Sequence, residues 1–226
     1  MSGLLKLWTD AGPMMYALLL AFLLALLMQI VRLALAKRYE FSGLFTGWAT
    51  VILALGLVAG AIGFLLALGA LADMGADAPP ESSMSREEIW RAGMAMRGLA
   101  LKSTAIAGVP VLFALGFVFI LAVLQIVAEA RVGRPSVISA PAQRAGRIVD
   151  GCSVAALLVT GYMYVRGVLA LHNAAAQLIH FTRDSAPNIK FLFTVTFACG
   201  LVSMVLGIAS VVVSIRHAPK DAQEAA

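Results

Sequence analysis

Residues 11–39 read AGPMMYALLLAFLLALLMQIVRLALAKRY, and this stretch decides the fold. From Met14 to Val31 the chain is apolar except for Gln29, and Arg32, Lys37 and Arg38 close the run. Eighteen residues rising ~1.5 Å each cover ~27 Å, close to the ~30 Å hydrocarbon core of a bilayer. The stretch reads as a membrane span followed by a basic anchor. Only Lys6 supplies positive charge ahead of it, and Asp10 lies beside it. A retained span is therefore expected rather than a cleaved signal.

The rest of the chain repeats the theme. Of its 226 residues, 61% are hydrophobic and only 13% charged, against ~25% charged in a typical soluble chain. Mean hydropathy is +0.92. The apolar runs are unbroken rather than alternating, which excludes barrel strands and leaves an all-α, polytopic helical bundle. The net charge of +5 comes from Lys and Arg flanking spans, so no nucleic-acid partner is expected. Cys152 and Cys199 sit at or inside apolar segments and read as small packing residues.

Five transmembrane helices are expected: Met14–Val31, Leu44–Ala72, Ser103–Ala128, Cys152–Leu171 and Phe191–Ile215. Basic residues in the first loop, in a cytoplasmic loop at 129–150 and in a tail at 216–226 place the N-terminus outside and the C-terminus in the cytoplasm. The segment 73–102 is expected as an outer loop. Within it, Ser85 and Glu88 have the spacing of a capping box. The helix that they start reads equally as an interfacial amphipathic segment or as an extension of the third span.

No nucleophile, base and orienting group occur together, and no Gly-rich phosphate loop is present, so an enzyme is not expected. No cofactor and no metal site are expected. The acidic residues all lie outside the spans or at their edges, so this chain alone lacks the intramembrane carboxylate of a proton relay. Arg166 is the one charge within a span, and with Tyr162 and Tyr164 it reads as interfacial. Lys102 marks the start of the third span. Gly56, Gly60 and Gly63 give the second span small-residue spacings that allow close helix approach. Ser103 and Thr104 either line a wet pore or bond back to their own helix.

Three segments resemble the MotA/TolQ/ExbB proton-channel family. Gly12-Pro13-Met14-Met15-Tyr16 with Val31-Arg32-Leu33 is similar to that family's first span. Leu55 to Gly63 (LGLVAGAIG) is similar to its second, and Ala100 to Gly108 (ALKSTAIAG) to its third. The resemblance covers roughly residues 10–128. It implies a three-span core at 1–128, with 151–215 as two additional spans. It also implies a bacterial inner-membrane, multi-pass protein that forms a homo-oligomeric ring in the lipid bilayer. A single-span partner would carry an intramembrane Asp, and proton flow would drive mechanical work or envelope transport.

By that resemblance Gly56, Gly60, Gly63, Ser103 and Thr104 are the pore-lining candidates, and Lys102 and Arg166 are pore-mouth or interfacial charges. Gly60 stands where the family has a pore threonine, Leu99 and Val31 where it has glutamates, and the large cytoplasmic domain is missing. Lys102 would oppose cation entry. Two other functions are weighed beside the channel: a non-conducting membrane scaffold, and a small-solute transporter with a break at Gly108-Val109-Pro110.

Overall fold

The structure, a computed structural model, describes residues 12–34, 42–76, 85–132, 140–176 and 186–216. They form five helices: α1 (Met14–Ala34), α2 (Ser42–Ala76), α3 (Arg86–Val132), α4 (Ala140–Ala176) and α5 (Ala186–Arg216). All five are long and apolar enough to cross a membrane, and no strand occurs among the described residues. The chain is a multi-pass membrane protein.

Local sequence sets the helix starts. Gly12 takes φ 85°, a conformation that costs only glycine little. The turn that it opens is closed by Met15 N–H donating to Gly12 O at 3.2 Å. At the start of α3 the capping box forms as expected. Ser85 N–H donates to Glu88 Oε2 at 2.7 Å, and Glu88 N–H donates to Ser85 Oγ at 3.3 Å.

Two segments expected as loops are largely helical. Residues 86–102 belong to α3, which continues unbroken into the third span. Likewise α3 runs on to Val132 and α4 begins at Ala140, so only 133–139 of the segment 129–150 lies outside the described helices. Charged residues end a hydrophobic run without ending a helix. Arg, Lys and Glu are good helix formers, and no Pro or Gly cluster breaks 86–102.

α2 is the hub, packing against all four other helices. α5 buries Ile189, Phe193, Thr196, Gly200, Ser203, Gly207 and Ser210, in alternating steps of four and three. α4 answers with Ser153, Thr160, Tyr164, Gly167, Leu171 and Ala174. A spacing that averages 3.5 keeps one seam facing the partner helix at a shallow crossing angle. Large apolar side chains point the other way: Leu158, Val205, Phe119 and Leu20 are all exposed. The bundle is thus apolar outside, and inside it combines small and polar residues along the α4–α5 seam with buried apolar side chains such as Met15, Ile52, Phe64 and Phe193.

Backbones meet where glycines permit. A Cβ added to Gly207 would sit 2.9 Å from Gly47 O, and one added to Gly47 would sit 2.7 Å from Gly207 O. At Gly116, in contrast, an added Cβ meets nothing within 4 Å. Gly207→Ala should therefore lower stability by about 1–3 kcal/mol through overpacking. Gly116→Ala should leave stability unchanged or raise it by up to about 1 kcal/mol. Denaturant titration in detergent micelles checks the pair.

Candidate functional site

The first two segments that carry the sequence resemblance meet in space with the residue that follows the third. Met15, Leu55 and Val109 are buried in one hydrophobic cluster. α1 and α3 run parallel, fixed by the stacked rings of Phe22 and Phe117, with centroids 4.2 Å apart. They are also joined by Gln29 Nε2 donating to Gln125 Oε1 at 3.2 Å. α2 packs antiparallel against both.

The candidate glycines face inward. An added Cβ at Gly56 would lie 2.6 Å from Ala114 Cβ and 3.0 Å from Pro110 O. At Gly60 it would lie 2.8 Å from both Ala107 O and Tyr164 Oη, and at Gly63 it would lie 3.3 Å from Ala107 Cβ. The three bring α2 onto the backbone of α3, and Gly60 also admits a ring from α4. Their place is inside one chain, among α2, α3 and α4.

Tyr164 fills the position over Gly60. Its hydroxyl donates to Ala107 O at 3.3 Å, its ring lies edge-on to Phe64 and Phe193, and Phe64 stacks on Phe193 at 4.4 Å. Ala107 stands just ahead of Pro110, whose ring nitrogen has no proton to give Ile106 O. The tyrosine therefore braces α3 where its own ladder is interrupted.

Ser103 and Thr104 are half-buried on α3, and Lys102 beside them is exposed. Arg166 is exposed on α4, next to Tyr162, which is 59% exposed. Arg166 and Lys102 have no ion pair among the described residues.

Two polar pairings are less evident from sequence. Gln29 and Gln125 are each a lone amide in an aliphatic run, which is the only signal that they meet. Both are buried, and Gln29 Oε1 is left without a partner. Asp150, half-buried near the start of the apolar stretch Gly146–Ala174, accepts a short hydrogen bond from Ser210 Oγ. It is the acid that comes nearest to the bundle interior among the described residues.

Further along the same seam the Thr160 and Ser203 hydroxyls lie 3.1 Å apart, and each also stands 2.8 Å from a carbonyl of its own helix, Ala156 O and Cys199 O; with one proton apiece, one hydroxyl donates across the seam while the other donates back. Gly200 between them leaves only 2.4 Å from an added Cβ to a Val58 methyl carbon. The seam is tightly packed, and its hydroxyls act as interhelical glue. No group of three His, Cys, Asp or Glu side chains suited to a metal occurs among the described residues, and both cysteines are free thiols.

Removing the phenol oxygen by Tyr164→Phe should cost about 0.5–1.5 kcal/mol, one interhelical hydrogen bond. Tyr164→Ala should cost about 3–5 kcal/mol, because the ring fills space that cannot collapse. Unfolding of the two variants in matched micelles reads the difference.

No family model, curated protein or solved structure matches this chain.

Proposed function

We propose that the chain is a proton-channel-like subunit of a bacterial inner-membrane assembly. In this reading it forms a ring, and any ion path runs between chains along α3. The observation that carries the reading is the meeting of the first two family-like segments with the residue that follows the third: Met15 of the first, Leu55 of the second and Val109, next to the third, share one buried cluster.

Two features shape it. Among the described residues the α4–α5 seam is close-packed and Gly60 is covered by Tyr164, which favours a path between chains over one within a chain. α2 is enclosed, with 61% of its span buried against 22% to 33% for the other four, so a neighbour would meet the peripheral helices, of which α3 is the longest. The carboxylate that a proton step needs would come from a single-span partner. The potential is worth ~2.3 kcal/mol per charge per 100 mV across the membrane.

A second reading, a non-conducting scaffold, is favoured by one specific contact. Tyr164 from an additional span occupies the place over Gly60 where the resemblance puts a pore threonine. Lys102, exposed near Thr104, points the same way.

Proton flux into liposomes under an imposed potential separates the two. The channel reading expects flux that needs both this protein and a single-span partner, and that falls at least about tenfold with Thr104→Val, a barrier rise of ~1.4 kcal/mol. A stable complex that passes no protons would leave the scaffold.

A further inference from the structure

The break in the α3 ladder is held by a different helix. Pro110 has no N–H for Ile106 O, and its ring crowds that carbonyl. In lipid an interrupted ladder is made good by neighbouring helices. Here the Tyr164 hydroxyl of α4 donates to Ala107 O, inside the interrupted turn, at 3.3 Å.

The surroundings of Tyr164 fix where that hydroxyl sits. Its ring lies edge-on to Phe64 and Phe193, with centroids 5.9 and 6.2 Å away. Phe193 is itself pressed on Gly167, where an added Cβ would meet its ring at 3.0 Å. Gly60 has no side chain to push the phenol away, and an added Cβ there would lie 2.8 Å from Tyr164 Oη and from Ala107 O alike. Filling this space would need only a phenylalanine, as at positions 64 and 193. The hydroxyl adds a bond.

α2 also touches the break, but through apolar and backbone contacts. Gly56 and Gly63 set Ala114 Cβ, Pro110 O and Ala107 Cβ against it. Contacts of that kind limit how near two helices come. A hydrogen bond also restricts an angle. Tyr164 therefore supplies direction where α2 supplies distance.

The residues next to the break are the pore candidates. Ser103 and Thr104 are half-buried and Lys102 is exposed, all on the N-terminal arm of α3, 86–106. Along that arm Trp90, Met94, Leu99 and Leu101 are exposed. Thr104 stands about 9 Å along the axis from Pro110, and Trp90 about 30 Å. A change of about 20° in the bend, the size at which a helix counts as sharply kinked, moves Thr104 by about 3 Å and Trp90 by about 10 Å.

We propose that Tyr164 is a positioning residue: through Ala107 O it sets the angle between the two arms of α3 at Pro110, and with it the placement of Ser103 and Thr104. The use of that turn for ions rests on the channel reading, whereas the geometry stands apart from it. The role gives the two additional spans a task. α4 carries the tyrosine, and α5 carries the Phe193 ring that holds it.

The full chain serves throughout, with Cys152 and Cys199 replaced by alanine and spin labels at Trp90→Cys on α3 and Leu169→Cys on α4. In liposomes, Tyr164→Phe keeps the ring and should shift or broaden the distance between the labels by at least about 5 Å, half of the 20° movement. Tyr162→Phe, at an exposed ring of the same helix, should leave it unchanged. Pro110→Ala returns an N–H to Ile106 O. In that background Tyr164→Phe should move the labels less than about half as far, a coupling that packing alone does not produce. In flux measurements with the single-span partner, Tyr164→Phe should slow proton entry at least about threefold, and Tyr162→Phe should not. The proposal is overturned if Tyr164→Phe leaves the labels in place or moves them equally far with Pro110→Ala. It is overturned also if the arm moves and flux through a working channel stays the same. An unaltered protein that passes no protons defeats the channel reading instead, and the label distances alone then decide the positioning role.

Discussion

The close approach of backbones around α2 holds this bundle together. In lipid the hydrophobic effect gives helices no reason to associate, so contact must come from fit and from buried polar pairs. Gly47 and Gly207 bring α2 against α5, Gly56 and Gly60 bring it against α3, and Gly60 also admits the Tyr164 ring. Side chains at these points would hold the helices apart, and one at Gly60 would displace the Tyr164 ring from its bond to Ala107 O.

This ordering bears on function. A chain whose central helix is sealed by its own neighbours has only its peripheral helices to offer a partner. α3 is the longest of them and shows most of its length to its surroundings. The candidate glycines are committed to internal packing, while Ser103 and Thr104 are only half-buried. The division between an inner scaffold and an outer working face follows from where the small residues lie along α2.

Much of the fold was legible in sequence, because unbroken apolar runs of bilayer length have one physical solution. The five spans fall inside the five helices, and the Ser85–Glu88 box marks the start of α3. Two things were hidden. Helices continue past the ends of apolar runs wherever good helix formers follow, so 140–150 was expected as part of a loop, while the helix over 86–102 was signalled only by its capping box. The partners of lone polar residues were hidden as well. Gln29 and Asp150 are conspicuous in their runs, but Gln125 lies 96 residues from one and Ser210 lies 60 from the other. The glycines of α2 were visible as a packing face, yet nothing local said whether that face met its own chain or another.

The seal on α2 is also a matter of timing. Its α5-facing side is covered by Gly200, Ser203 and Gly207, residues made more than a hundred positions after α2 itself. At a synthesis rate of about 5–20 residues per second, the hub helix waits roughly 6–25 seconds in the membrane with its glycine backbone uncovered. Throughout that interval it is a helix without its final neighbour, kept in the bilayer by hydrophobicity alone. This accounts for an otherwise odd economy: the helix that ends most buried is also among the most apolar of the five.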